Sequence, residues 1–101
     1  MKRIFIAQPM GDKSTREILE ERAHAEKIAG TILGEIELIH SWEPNAKEHL
    51  NAVENLGRSI FLLGSADVAV FAPGWNEARG CLIEHEVAEK YGIKILDLSN
   101  V

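Results

Sequence analysis

The stretch ADVAVFAPGWNEARGCLIEHEVAEKYGIKILDLS, residues 66–99, decides the fold. It begins with a continuous apolar run that ends at Ala72, which predicts a strand buried on both faces and therefore central in a sheet. After a turn that contains proline and glycine, residues at helical spacing form one stripe: Gly80, Ile83, Val87, Ala88 and Tyr91. A β-branched run over residues 93–99 predicts another strand. Strand, helix and strand in this order predict parallel pairing.

The preceding residues repeat this alternation. The run KRIFIAQ, residues 2–8, is β-branched and aromatic and predicts a buried first strand. Ser14 and Glu17 have the spacing of a capping box, which predicts a helix that ends at Gly34. The run EIELIHS, residues 35–41, alternates apolar and acidic residues and predicts an edge strand.

A further helix is predicted before the central strand. Pro44 and Asn45 are typical of a helix entrance, and Gly57 leaves open whether one helix or two pieces follow. The apolar residues at helical spacing are Leu50, Val53, Leu56, Ile60 and Leu63. The chain shows no linker or repeat, so residues 1–101 are predicted to form a single α/β domain of the flavodoxin-like or Rossmann-like type. Its parallel sheet has the strand order 2-1-3-4, with helices on both faces.

Composition and charge exclude several functional classes. The chain of 101 residues is 46% hydrophobic and 27% charged, and its net charge is −5. Without a basic stripe, nucleic acids and anionic membranes are not expected as partners. No apolar run approaches the roughly 20 residues needed to span a bilayer. Cys81 is the only cysteine, which excludes an intrachain disulfide and a cysteine-based zinc cluster. A cytoplasmic protein is therefore expected.

Several familiar sites have no counterpart in the sequence. The loop after the first strand contains no GxGxxG, and the chain has no GxxxxGK[ST]. The third strand is followed by Pro73 rather than an aspartate, which argues against a phosphoacceptor domain. The four histidines lack ligand spacing, so neither a metal nor a cofactor is expected. Cys81 begins a helix and has either a lowered pKa or a packing role; the lack of a partner base favours packing.

The predicted sheet order places a ligand crevice beyond the carboxyl ends of strands 1 and 3. Two loops meet there, a first loop of residues 8–14 and a second loop of residues 73–80. Ser41 and Trp42, after strand 2, can reach the same mouth. Glu84 lies on the inward stripe of the helix that leaves the second loop, where core side chains are expected. This position makes Glu84 a site candidate.

The segments IFIAQPM, the AD before the central strand, and PGWNEARGCLIEHEVAEKYGIKI together resemble the nucleoside 2-deoxyribosyltransferase-like superfamily, most of all a small bacterial and phage branch. The resemblance covers nearly the whole chain and is strongest in Gly80-x-x-x-Glu84-x-x-x-Ala88, the spacing around the family's nucleophilic glutamate. It implies cleavage of an N-glycosidic bond or deoxyribosyl transfer through Glu84, and a homo-oligomer whose subunits complete one another's sites. Non-catalytic nucleotide binding, for sensing or sequestering, is the main alternative.

The chemistry suits Glu84. A carboxylate can stabilise or capture the oxocarbenium-like state that forms when an N-glycosidic bond breaks. It must remain ionised while shielded from water, and a nearby helix N-terminus favours the anion. The alternative is a structural carboxylate that is half-exposed or paired with Arg79.

The resemblance also implies residues that contact the substrate. The first loop encloses the sugar in the family, which implicates Gln8, Met10 and Gly11. Gly74 and Gly80 belong to the same predicted site, although Gly11 and Gly74 are most simply explained as turn residues.

Four further residues have two explanations each. Trp42 and Trp75 stack on a base or else cover edges of the core. Arg58 and Arg79 bind a 5′-phosphate or else are surface charges.

Two departures from the family concern its auxiliary acids. Their positions are occupied by Ala78, two residues before the motif glycine, and by Ser59, eight residues before Asp67. Both remain predicted substrate contacts, but neither can protonate a leaving base. Other candidates for that acid are Asp12, Glu77 and His85.

Overall fold

Strands and α-helices alternate along the chain in a computed structural model that describes all 101 residues. The strands are β1 (Lys2–Ala7), β2 (Ile36–Leu38), β3 (Val68–Phe71) and β4 (Lys94–Asp97). The helices are α1 (Thr15–Leu33), α2 (Ala52–Leu63) and α3 (Arg79–Lys90). Single 3₁₀ turns, Ala46–Glu48 and Trp75–Glu77, precede α2 and α3.

The four strands form one parallel sheet in the order β2-β1-β3-β4. Ile4 of β1 is paired with Val68 of β3, and Ala7 with Phe71, so the two central strands end at the same level. All four residues of β3 are fully buried. The predicted order, the central position of β3 and the edge position of β2 are confirmed.

The sheet separates two hydrophobic cores, because successive residues of a strand point to opposite faces. On one face α2 and α3 cover Phe5, Ala7, Ala69 and Phe71. On the other face α1 covers alternate residues of the same strands: Ile4, Ile6, Val68 and Val70. The predicted packing of helices on both faces is confirmed.

Two helices begin with complete capping boxes. The Ser14 hydroxyl accepts from the Glu17 amide at 3.2 Å, and the Ser14 amide donates to the Glu17 carboxylate at 3.0 Å. Asn51 and Glu54 form the same pair of bonds at 2.8 Å. The predicted entrance at residues 44–45 is therefore wrong for α2, since only a 3₁₀ turn follows it and the Asn51 box starts the helix.

Helical spacing also assigned three exposed residues to the inward faces. Val53 is 79% exposed, Tyr91 is 80% exposed and Ile83 is 39% exposed. Val53 lies in the first turn of α2 on its outer side, and Tyr91 follows the last residue of α3, where the helical period no longer applies. Gly57 does not interrupt α2, which is continuous. No helix combines the length and the apolar character needed to cross a bilayer.

Candidate active site between β1 and β3

The first and second loops meet beyond the ends of β1 and β3. The Ala72 amide, just before the second loop, donates to the Ala7 carbonyl at 2.9 Å. Gly74 has a φ of +85°, and a Cβ built on it would lie 3.3 Å from Pro9 Cγ. The left-handed backbone favours glycine here, and any side chain would also crowd the proline ring. The crevice predicted from the strand order is thus bordered by two loops in contact.

Glu84 lies on the buried stripe of α3. It is 8% exposed and shares the stripe with Cys81 and Ala88, at spacings of three and four residues. Burial is the one cause that shifts the pKa of its carboxyl, and no hydrogen bond or charge of the protein contributes to the shift. Arg79 is exposed and forms no ion pair with Glu84. Glu84 is therefore neither half-exposed nor paired with Arg79, as a purely structural role would require.

The protonation of Glu84 differs from the expectation. Burial raises the pKa of the Glu84 carboxyl from its ordinary 4.5 to about 7. The helix N-terminus does not offset this desolvation, because Glu84 is the sixth residue of α3 and lies beyond the first-turn amides that interact most strongly with an anion. Near neutral pH the carboxyl exists in both forms, which is a property of groups that act as acid, base or nucleophile.

Cys81 is a packing residue, as the lack of a partner base indicated. Burial raises the pKa of its thiol to about 12, the Glu84 charge acts in the same direction, and Lys13 acts against both. The option of a lowered pKa is wrong. Lys13 belongs to the first loop, where its ammonium group donates to Glu21 of α1 at 2.6 Å. Its effect on the Cys81 thiol indicates that a cation of this loop lies near the start of α3.

The N-terminus of α3 differs from those of α1 and α2. Its N-cap residue is Ala78, which has no side-chain acceptor, so the first-turn amides are not capped. Arg79 and Gly80 provide two of these amides at the end of the second loop. Free N–H groups at a helix start, together with the helix dipole, favour an anionic ligand.

Gln8 is buried and fully engaged within the protein. Its amide nitrogen donates to the Ile18 carbonyl at 3.2 Å and to Glu21 at 3.4 Å, and its oxygen accepts from Arg22 at 3.1 Å. Arg22 also donates to the Ser41 hydroxyl at 3.3 Å. The structure thus directs Gln8 and Ser41 toward α1, on the opposite face of the sheet from Glu84.

Arg22 was missed by the sequence reasoning. It is 7% exposed, and burial lowers the pKa of its guanidinium. Its position contained a usable pattern, because it lies among the buried residues of α1 at spacings of four, three and four: Ile18, Arg22, Ala25 and Ala29. A charged residue on an apolar stripe predicts a buried polar network, by the same reasoning that identified Glu84.

The two tryptophans have different environments. Trp75 stacks on His85 with 4.1 Å between ring centroids and 7° between ring planes, and its ring centroid lies 5.3 Å from that of Phe71. Its indole N–H donates to Asp97 at 3.1 Å, which directs it toward β4. Trp75 therefore covers a core edge, whereas Trp42 is half-buried after β2 with no aromatic partner.

The α2 candidates lie on the same face of the sheet as Glu84. Arg58 is half-buried and donates to Asn55 at 3.0 Å, but its buried Nε has no hydrogen-bond partner. Ser59 is also half-buried. Arg58 forms no ion pair within the chain, so its guanidinium retains capacity for an external acceptor.

The remaining candidates are loop and helix-start residues. Met10 is half-buried, and Gly11 is exposed with a φ of +36°, as expected for a turn. A Cβ built on Gly80 would lie 3.9 Å from a methyl carbon of Leu56, so Gly80 faces α2.

Two surface depressions lie away from the crevice. One of about 340 Å³ is lined only by α1 residues, Glu17, Glu20, Glu21 and His24. The other, of about 420 Å³, is lined only by α3 residues, Leu82, His85, Glu86, Glu89 and Lys90. Neither includes Glu84, and neither combines an apolar wall with convergent polar groups as ligand pockets do.

Comparisons of the chain with protein-family models, curated proteins and solved structures find no match. The resemblance described above therefore stays a prediction, and the geometry of Glu84 is the main support for a function.

Proposed function

We propose that this protein cleaves the N-glycosidic bond of a nucleoside or nucleotide, or transfers its sugar to a second base, through Glu84. One observation carries the proposal: an 8% exposed carboxyl on the buried stripe of α3 that has no hydrogen bond or ion pair within the protein. Its oxygens still reach solvent, because Arg58 Nε is the only fully buried side-chain N or O atom without a partner. Burying a polar group without a partner costs free energy, and buried polar groups normally have one. A ligand that supplies the missing contacts explains why the chain retains this glutamate.

The reaction follows from the chemistry of a carboxylate beside an anomeric carbon. The bond from the sugar carbon to the base nitrogen breaks, and its electron pair leaves with the base. The ionised Glu84 stabilises the resulting cation or bonds to it, and water or the nitrogen of a second base then displaces the carboxylate. Neither a metal nor a cofactor is required.

The leaving base needs a proton. Asp12 and Glu77 are exposed on the two loops and can approach a bound base. His85 is less suited, because Trp75 covers one face of its ring and its Nδ1 lies 3.2 Å from Glu89. We therefore assign the acid role to a loop carboxyl rather than to His85.

A phosphate on the sugar is compatible with the site. The uncapped first turn of α3 offers amide N–H groups, and Arg79 is an exposed guanidinium at the same helix start. We also propose that the protein acts in the cytoplasm, since its one cysteine is a buried free thiol.

Nucleotide binding without catalysis is the second candidate. The observation that favours it is the absence of a carboxyl at Ser59 and Ala78, where an auxiliary acid is expected. A protein that only senses or sequesters a nucleotide needs the crevice and its donors but no proton source.

A panel of nucleosides and their 5′-monophosphates tests both functions. Calorimetry measures binding, and chromatography measures the release of free base from the same mixtures. Binding with release supports the proposed reaction, and binding without release supports the second candidate. A panel in which no compound is bound or cleaved contradicts both.

A further inference from the structure

The strands β1 and β2 diverge at the carboxyl edge of the sheet. β2 pairs with β1 only as far as Leu38, which lies opposite Ile4. The Ser41 amide then donates back to the Ile39 carbonyl at 2.9 Å, whereas β1 continues to Ala7. The last residues of β1 therefore have no partner strand on this side. Parallel sheets bind ligands beyond this edge, and the opening is separate from the crevice between β1 and β3.

The Arg22 guanidinium lies between the two strand ends. It donates to the Gln8 oxygen at 3.1 Å, just beyond β1, and to the Ser41 hydroxyl at 3.3 Å, beyond β2. The exposed fractions of Arg22, Ser41 and Gln8 are 7%, 6% and 4%. Three buried polar side chains thus converge on one point of the edge, and they hold the guanidinium in place.

The charge of Arg22 has no counter-ion in contact with it. Both of its acceptors are neutral groups. Glu26, one turn further along α1, attracts the guanidinium but forms no ion pair with it. Glu21 is engaged elsewhere, by Lys13 at 2.6 Å and by Gln8 at 3.4 Å. Because a buried charge is normally paired, an anion from outside the chain would supply what the fold leaves out.

Donors remain available to such an anion. A guanidinium has five N–H groups, and Arg22 uses two of them within the chain. Its Nε has no partner, yet it is not among the fully buried atoms that lack one, a condition met by Arg58 Nε alone, so Arg22 Nε reaches solvent. The Ser41 hydroxyl accepts from Arg22 and keeps its own proton free to donate.

We propose that Arg22 and the Ser41 hydroxyl form a binding site for a small carboxylate at the diverging ends of β1 and β2. A single guanidinium offers one positive charge and a planar pair of donors, which match a carboxylate in charge and in geometry. A phosphate dianion fits less well, because one cation does not neutralise it and Glu21 and Glu26 add negative charge beside the site. Glu84 lies on the other face of the sheet, so this site goes beyond the proposed function.

Nuclear magnetic resonance of the arginine side chains tests the site, with acetate as the probe and no nucleoside present. The Nε–H signal of Arg22 is assigned by its loss in Arg22→Lys. Titration with sodium acetate, against sodium chloride at equal ionic strength, is expected to shift this signal to saturation with a dissociation constant of roughly 10 mM. Arg58 is the internal control, because the chain covers its Nε and the signal is expected to stay in place.

Three variants locate the acetate. Ser41→Ala removes the hydroxyl donor and keeps the guanidinium, so it is expected to weaken acetate binding about fivefold. Arg16→Met, at an exposed position of α1, leaves the titration unchanged. Arg79→Met also leaves it unchanged, because an anion at the start of α3 would be bound on the other face. Circular dichroism verifies that each variant is folded.

Three outcomes overturn the proposal. One is an Arg22 signal that acetate up to about 100 mM moves no more than chloride does. Another is Ser41→Ala with the acetate affinity of the wild type, because the hydroxyl then takes no part in binding. The third is inorganic phosphate shifting the Arg22 signal at lower concentrations than acetate, which would identify a phosphate site instead. None of these measurements depends on turnover, so they stand apart from the test of Glu84.

Discussion

Arg22 and Glu84 lie on opposite faces of the same sheet and are 7% and 8% exposed, yet their surroundings differ completely. Arg22 donates to the Gln8 oxygen and the Ser41 hydroxyl. Glu84 has no partner in the protein. In both cases burial shifts the pKa toward the neutral form, downward for the guanidinium and to about 7 for the carboxyl.

The difference follows from what each group can do when it is buried. A guanidinium does not lose its proton in a protein, so Arg22 must find acceptors inside the fold. A carboxyl can become neutral, so Glu84 is tolerated without a donor. The α1 face therefore holds a satisfied network that stabilises the fold, whereas the α3 face keeps an unsatisfied group available for chemistry.

The largest effect is expected from Glu84→Gln on turnover. The substitution keeps the shape of the side chain and removes the charge that stabilises the oxocarbenium-like state. We expect release of base from the best substrate of the panel to fall roughly thousandfold or more, while binding persists. Glu86→Gln, at an exposed position of the same helix, is the matched control and retains activity. Undiminished release in Glu84→Gln would show that the buried carboxyl has no part in the reaction.

The next largest effect is expected from Arg22→Met on stability. Methionine fills much of the space, but it leaves the Gln8 oxygen and the Ser41 hydroxyl buried without their donor. We expect the free energy of unfolding in urea to fall by about 3 to 4 kcal/mol. Arg16→Met is the control, because Arg16 lies on the same helix, is 88% exposed and pairs only with Glu20. A loss below about 0.5 kcal/mol, the usual range for surface changes, contradicts a stabilising network.

The pH dependence of stability separates Glu84 from Arg22. Because the pKa of Glu84 is about 7 in the folded protein and 4.5 ordinarily, the folded state binds its proton more tightly than the unfolded state. The stabilisation is complete below pH 4.5 and is lost as the pH rises through 7.

Glu84→Gln lacks this loss. Between pH 4.5 and 8 its free energy of unfolding is expected to gain up to about 3 kcal/mol relative to the wild type. Urea denaturation at a series of pH values measures the gain. Parallel stability curves for the two proteins would mean that Glu84 is not desolvated as described.

The smallest effect is expected from Ser41→Ala. It removes one acceptor of Arg22, at 3.3 Å, and leaves the bond to Gln8 intact. The expected loss is about 1 kcal/mol. Thr15→Ala, at an exposed position of α1, gives the background value. If Ser41→Ala destabilised the protein as much as Arg22→Met, the network would depend on the hydroxyl rather than on the guanidinium.

The sheet and the position of Glu84 were predictable because they follow from local patterns. A continuous apolar run such as Val68–Phe71 identifies a central strand, and parallel crossovers then restrict the strand order. The spacing from Cys81 to Ala88 shows that Glu84 points inward. The predicted crevice follows from these two facts alone.

The rest depends on contacts that sequence spacing does not encode. Gln8 lies at the end of its strand, and its bonds to α1 residues ten to fourteen positions later decide the face to which it points. The stacking of Trp75 on His85 depends on the path of the second loop. The pKa of Glu84 depends on how deeply the helix is buried, which a helical period does not measure.

The close approach of Gly74 to Pro9 has a consequence for the spacing of the two loops. A single added carbon at position 74 would lie 3.3 Å from Cγ of the proline ring. Because Gly74 has no such carbon, the two loops come closer at this point than any other residue at position 74 would allow without a shift of the proline ring. The size of residue 74 therefore sets the distance between the two loops, and with it the separation of the exposed carboxyls that they carry, Asp12 and Glu77.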